Sequence, residues 1–153
     1  MAYLSDLVVE QAAAQPEAEA VVFEETRLSY GQLNERVNRL ANGLEALGLR
    51  RGNHVALLLE NCHQYLEAYY ALSKAGMVAV PLNWRLSDEE LRYIVDHSES
   101  AALITDPGHA KAALLLRGRI ERLEQLIGVG VEENSGLTSY EEILATGSPD
   151  EPS

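Results

Sequence analysis

Hydrophobic positions recur along this chain with two periods, and the changes of period locate its elements. Leu4, Leu7, Val8 and Ala12 fall on one face of a helix that Pro16 stops. "AVVF" (20–23) and "RLSY" (27–30), separated by "EET", predict a short antiparallel hairpin. Leu33, Val37, Leu40, Ala41, Leu44 and Leu47 then recur at the spacing of an amphipathic helix. Ser29 and Gln32 are placed as a capping box at its start, and Gly48 stands just past its end.

From residue 54 the pattern becomes strand–helix alternation. "HVALLLE" (54–60) is a continuous apolar run, which predicts a strand covered on both faces. Asn61 and Gln64 predict the cap of a helix over 62–75 that Gly76 ends, and its nearly all-round apolarity predicts deep packing. "MVAVPL" (77–82) predicts a second buried strand, with Pro81 near the end where the ladder can spare a donor. Ser87 and Glu90 form another capping box, with Leu86 and Leu91 as the hydrophobic staple around it. "AALIT" (101–105) and "LIGVG" (126–130) predict two more strands, and Asp106-Pro107 opens a helix over 107–118. Thr138 to Ala145 predicts a short capped helix, and "TGSPDEPS" a polar tail. Crossovers of this length imply parallel strands. The expected fold is α/β: a doubly wound, mostly parallel sheet with helices on both faces and an N-terminal antiparallel hairpin.

Composition narrows the function classes. The 153 residues fit one domain with a real core. With 24 acidic against 12 basic residues, the formal charge of −12 repels nucleic acid and anionic lipid. A phosphorylated ligand would need local positive charge against this field, so each well-placed arginine gains interest. Cys62 is alone, which excludes an internal disulfide. With no signal-peptide pattern and no apolar run long enough to span a bilayer, a cytoplasmic protein without a transmembrane segment is expected.

Little catalytic chemistry is visible. His54, His63, His97 and His109 share no metal-ligand spacing with one another or with Cys62, so no metal site is expected. His97 sits where it can serve a helix dipole, and Tyr65, Tyr69 and Tyr70 fit a core. "GVGVEE" lacks the third glycine of a dinucleotide fingerprint, and neither a GxxxxGK[ST] loop nor a GxSxG elbow occurs. The acidic pairs at turns and helix starts suit a solvated surface. One cluster is placed for binding: Asn83-Trp84-Arg85, where a parallel strand hands over to its helix, the edge at which open α/β sheets bind ligands. Arg85 there either holds an anion or is merely solvated.

Two segments resemble the core motifs of the adenylate-forming superfamily. "LSYGQLNERVNRLANGL" (28–44) is similar to its L[TS]YxEL motif, with Gln32 in place of the usual acidic residue. "LSKAGMVAVPLNWRLSDEEL" (72–91) is similar to the LxAGxxxxPL motif, and "LITD" (103–106) to the strand that follows. Order and spacing also match, and "PLNWRLS" resembles acyl-CoA synthetases of fatty and aryl acids more than peptide-synthetase adenylation domains.

The resemblance implies an ATP-dependent acid–CoA ligase, in which carboxylate and ATP give an acyl-adenylate and pyrophosphate before the acyl group passes to CoA. Its cofactors would be ATP, Mg²⁺ and CoA, its partner a small carboxylic acid, and a homodimer is possible. It places Arg85 near the mouth of the CoA channel as a contact for CoA phosphate, in keeping with the fit of a planar guanidinium to phosphate oxygens. The family's Ser/Thr/Gly-rich phosphate loop and C-terminal catalytic lysine do not occur in the sequence. Residues 1–146 are therefore expected to form an N-terminal subdomain and 147–153 a polar linker toward the ATP-binding and catalytic region. By that reading no catalytic residue lies in this chain, and alone it is inactive. The alternatives are a stand-alone non-catalytic module that pairs with another chain, or part of a peptide-synthetase adenylation domain.

Overall fold

The computed structural model describes residues 3–153. Its elements run α1 (Leu4–Ala14), β1 (Glu19–Phe23), β2 (Thr26–Ser29), α2 (Tyr30–Ala46), β3 (His54–Leu58), α3 (His63–Lys74), β4 (Val78–Pro81) and α4 (Asp88–His97). There follow β5 (Ala102–Thr105), a 3₁₀ turn (Pro107–His109), α5 (Ala110–Arg119), β6 (Gln125–Gly128), β7 (Thr138–Ser139) and α6 (Tyr140–Thr146). The chain divides into two units. One holds the residues up to Arg51 with Asn61–Gly76 and Ile143–Ser153; the other holds Gly52–Glu60 and Met77–Glu142.

In the first unit β1 and β2 pair antiparallel around Glu24-Glu25, with Glu24 in the left-handed region (φ 51°). The capping box forms as expected: Ser29 Oγ accepts the Gln32 N–H (3.2 Å), and Gln32 Oε1 accepts the Ser29 N–H (2.9 Å). The apolar stripe of α2 is buried from Leu33 through Leu44 and packs against α3. Two expectations fail here. Leu4 and Leu7 are about half exposed, while Val8 and Ser5 are the buried residues of α1, and the Ser5 N–H donates to Ser73 Oγ of α3 (3.2 Å). A short surface helix buries a narrower stripe than its pattern offers.

The other failure is α3. It begins one residue later than expected, with Cys62 rather than Asn61 at the N-cap and no side-chain cap bond. It is also not buried all round: Ala68, Ala71 and Leu72 face inward, whereas Leu66 is 37% exposed. On the inner face sits Glu67, fully buried and held bidentately by Arg36 of α2. Burial of that carboxylate requires the opposing guanidinium.

Residues 147–153 lie against α2 and α3. Asn38 and Asn42 donate to the carbonyls of Pro149 (2.9 Å), Ser148 (2.9 Å) and Asp150 (2.9 Å). Glu151 accepts from Lys74 (2.6 Å), Asn34 (3.0 Å) and Asn38 (3.2 Å). Gly147 is where the tail passes α2 most closely, and a Cβ there would run into the Arg39 carbonyl.

The second unit contains a five-stranded parallel sheet in the order β4-β3-β5-β6-β7. Ala56, Leu58, Leu103 and Leu126 on one face pack with Leu91 and Val95 of α4 and Ala113 and Leu116 of α5. Val55 to Leu58 and Ala102 to Ile104 are fully buried in succession, so both faces of these strands are covered, as the apolar runs predict. The fold is thus α/β, with a helix-flanked parallel sheet and a separate antiparallel hairpin. "MVAVPL", however, is not an interior strand. β4 is at the sheet edge, with Val78 43% exposed. The segment after β6 also hides the two-residue strand β7, too short to leave a period in the sequence, which takes Thr138 and Ser139 from the helix expected there.

Two outcomes follow from these contacts. In α4 the Ser87 hydroxyl accepts the Glu90 N–H (3.4 Å), and Glu90 Oε2 accepts the Ser87 N–H (2.9 Å). Ser87→Ala is expected to lower stability by ~1 kcal/mol, read as a lower denaturant midpoint at unchanged slope. For the tail, burial acts to raise the Glu151 carboxyl, but bonds from Lys74, Asn34 and Asn38 outweigh it and hold the carboxyl below the ordinary glutamate value. A lowered folded-state value means that Glu151 stabilises above the ordinary value, and that this is lost as pH falls through the lowered one. Glu151→Gln should therefore reduce the unfolding midpoint near neutral pH and leave it unchanged well below the carboxylate range. An equal loss at both would show that the ionised carboxylate is not what holds the tail.

Candidate ligand site at the carboxyl edge of the sheet

The strand order places a site before any side chain is considered. From β3 the chain crosses to β4 on one side, and then returns to add β5 on the other. Successive connections therefore diverge at the carboxyl ends of β3 and β5, the switch point at which open α/β sheets form a ligand crevice. Two hydrogen bonds fix the ends of these strands. Buried Thr105 Oγ1 donates to the Leu58 carbonyl (3.0 Å), and Asp106 Oδ2 accepts the Glu60 N–H (3.0 Å).

Asp106 also caps the 3₁₀ turn. Its Oδ1 accepts the His109 N–H (3.0 Å) and lies 2.7 Å from His109 Nδ1. The His109 ring packs against Trp84 with centroids 5.6 Å apart, and the Arg85 guanidinium lies 4.7 Å from the centre of the Trp84 ring. Asn83 shapes this turn, its Oδ1 accepting the Arg85 N–H (3.0 Å). A continuous set of contacts thus runs from exposed Arg85 through Trp84, His109 and Asp106 to Glu60.

Arg85 differs from most of its kind in this chain. Arg27, Arg36, Arg39, Arg92, Arg119 and Arg122 are each paired with a carboxylate. Among the described residues Arg85 makes no such pair, and it rests instead on an aromatic face. A guanidinium resting on a ring face does not spend its N–H donors there, and a phosphate or carboxylate can accept two of them.

The sequence pattern singled out Trp84 and Arg85 but not the cluster beside them. In the sequence Asp106 shows as a helix opener and as the end of "LITD", and His109 lacks ligand spacing. The signal that finds them is topological, since residues just after β3 and β5 must share the crevice once the order 4-3-5 is drawn. The other histidines and the tyrosines of α3 are dispersed. His97 stacks on Tyr93 at the end of α4, His54 Nδ1 meets the Ser98 carbonyl (2.6 Å), and His63 packs near Phe23. Tyr65 and Tyr69 stack on each other, and burial, with Tyr69 alongside, pushes the Tyr65 hydroxyl up to about 12.

Residues 8–152 match the model of the AMP-binding enzyme family. The chain belongs to the AMP-binding enzymes. It is 45% identical over 116 residues to a feruloyl-CoA synthase of Amycolatopsis sp., covering 75% of this chain and 24% of that protein. It is 35% identical over 118 residues to a long-chain-fatty-acid–CoA ligase of Thermus thermophilus, covering 77% of this chain and 22% of that one. The chain therefore spans about a quarter of the length of these curated relatives. Among solved structures, the N-terminal domain of FACL13 from Mycobacterium tuberculosis superposes with a TM-score of 0.89 at 30% identity, covering all of this chain and 38% of that one.

The two AMP-binding core motifs do separate structural work. "LSYGQL" makes the junction of β2 with α2, where Ser29 is the cap, and "PLNWRLS" makes the turn from β4 to the Ser87 cap of α4. No helix among the described residues is long and apolar enough to cross a bilayer.

Asp106 is the residue on which the site's geometry converges. Asp106→Ala removes the 3₁₀ cap together with the brace to Glu60, and is expected to lower stability by about 1–2 kcal/mol. Asp106→Asn, which keeps an acceptor oxygen, should recover part of that loss. Equal unfolding midpoints for wild type and Asp106→Ala would mean that neither bond contributes.

Proposed function

We propose that this chain forms the N-terminal part of an ATP-dependent acid–CoA ligase acting on a fatty or aryl carboxylic acid. Such an enzyme joins the carboxylate to the α-phosphorus of ATP, giving an acyl-adenylate and pyrophosphate. The CoA sulfur then attacks the acyl carbon and AMP leaves. The observation that carries this reading is the identity to a feruloyl-CoA synthase and to a long-chain-fatty-acid–CoA ligase over three quarters of the chain. Both are acid–CoA ligases by name.

Within that reaction the chain's own residues bind and position. Arg85 is the contact for a CoA phosphate, and its support on Trp84 at the sheet edge fits an anion arriving from solvent. Mg²⁺, when bound with ATP, neutralises phosphate charge during adenylation. Its ligands and the phosphate loop are assigned to the enzyme outside these 153 residues. The reaction belongs in the cytoplasm, where ATP and CoA are both at hand.

The test separates the two half-reactions in the full-length enzyme. Arg85→Glu removes a charge-assisted contact of about 1.5–3 kcal/mol, so the apparent KM for CoA should rise roughly ten- to a hundredfold. Pyrophosphate release without CoA should barely change, because that step needs no CoA. An unchanged KM would make Arg85 a solvated surface residue. Equal loss in both half-reactions would indicate a folding defect, and failure of the enzyme to form any thioester from fatty or aryl acids would overturn the ligase reading itself.

A further inference from the structure

Glu60, Asp106 and His109 each present one ligand atom, and these atoms all lie within 4.8 Å of one another. Two loops supply them, Glu60 after β3 and Asp106 with His109 after β5. The Glu60 N–H bond to Asp106 Oδ2 roots the Glu60 side chain beside that carboxylate. Asp106 has roughly four lone-pair sites, and three are used, by the Glu60 N–H and by the backbone and ring nitrogens of His109. The one held by the ring nitrogen, on Oδ1, is the one that an ion replacing the shared proton would take over. Unlike the solvated acidic pairs of the surface, Asp106 and His109 are largely buried, with side chains 18% and 16% exposed. Trp84 packs against the His109 ring and limits its rotation.

We infer that these three side chains form a site for one divalent transition-metal ion of the zinc type, with coordination positions left open. The donor set selects the class. An imidazole nitrogen with two carboxylates suits Zn²⁺, Co²⁺ or Ni²⁺, whereas Mg²⁺ and Ca²⁺ take oxygen ligands. The ion takes the place of the proton between His109 Nδ1 and Asp106 Oδ1, now 2.7 Å apart. Ligands of a tetrahedral ion with bonds of ~2.0–2.2 Å stand about 3.3–3.6 Å apart, so the pair must open by roughly 0.6–0.9 Å. The displaced proton passes through solvent to Nε2, leaving the imidazole neutral. Glu60 closes in as third ligand by side-chain rotation, since it is exposed. Water or an anionic group fills the open positions. The site requires neither acid, ATP nor CoA, and stands apart from the ligase reading.

Titration of Co²⁺ and then Zn²⁺ into the chain carrying Cys62→Ser, which removes its one thiol, provides the test. One cobalt ion per chain is expected, with visible bands of four- or five-coordinate metal that zinc abolishes and excess Mg²⁺ does not. Glu60→Gln and His109→Gln should each weaken binding by about tenfold or more, since a lost ligand costs at least as much as a lost outer partner. Glu60→Gln keeps the backbone bond to Asp106, so its metal-free melting should match the parent and it decides the matter even if His109→Gln folds poorly. Absence of stoichiometric binding, the spectrum of hexaaquo cobalt, or unchanged affinity in Glu60→Gln would overturn the site, the last marking adventitious binding to an acidic surface.

Discussion

The pairing of β3 with a parallel neighbour on each side is the constraint on which the rest of the second unit depends. Four successive residues, Val55 to Leu58, are withdrawn from water, and their amides and carbonyls have no recourse except the flanking strands. Once β4 occupies one flank and β5 the other, the chain segments that leave the strand ends must part. The crevice between them is a consequence of connectivity. Thr105 and Asp106 then satisfy polar groups that the parting connections would strand, and in doing so they set the distance between the two ends.

Electrostatics gives that crevice its character. In a chain with twice as many acids as bases, an arginine is by default absorbed by a nearby carboxylate. The Arg36–Glu67 pair is the extreme case, where the carboxylate is so deeply enclosed that the guanidinium is committed to it. Arg85 escapes this because the turn after β4 offers it an indole. Stacking on a π face holds the cation in place without consuming its hydrogen-bond donors. Position, support and unspent donors together distinguish it from the other arginines.

Legibility in the sequence followed the range of the forces involved. The capping boxes at Ser29 and Ser87 and the stripe of α2 are local, and the residues that make them stand a few positions apart. The continuous runs of β3 and β5 are also local signals, because double-sided burial leaves no room for polar alternation. The edge position of β4 was illegible because it depends on which strand comes next to β3, a fact written nowhere in "MVAVPL". Glu67 was illegible for the same reason, since its partner lies a helix away. At the site, Arg85 could be marked from its place after a strand, whereas Asp106, His109 and Glu60 become a group only when β3 and β5 are adjacent. The family motifs supplied part of what local pattern could not, by implying a fold in which those strands meet.

Pro81 has a bearing on the behaviour of the sheet as a solid edge. In β4 the amides of Val78 and Leu82 turn toward β3, bonding Asn53 and Leu57. By the alternation of a strand, those of Ala79 and Pro81 turn the other way, and proline has no hydrogen to offer. The free side of this edge therefore presents a single amide donor within the strand. A foreign strand arriving there would find too few bonds to hold its register, so a four-residue strand ending in proline works against templated growth and fibrillar stacking.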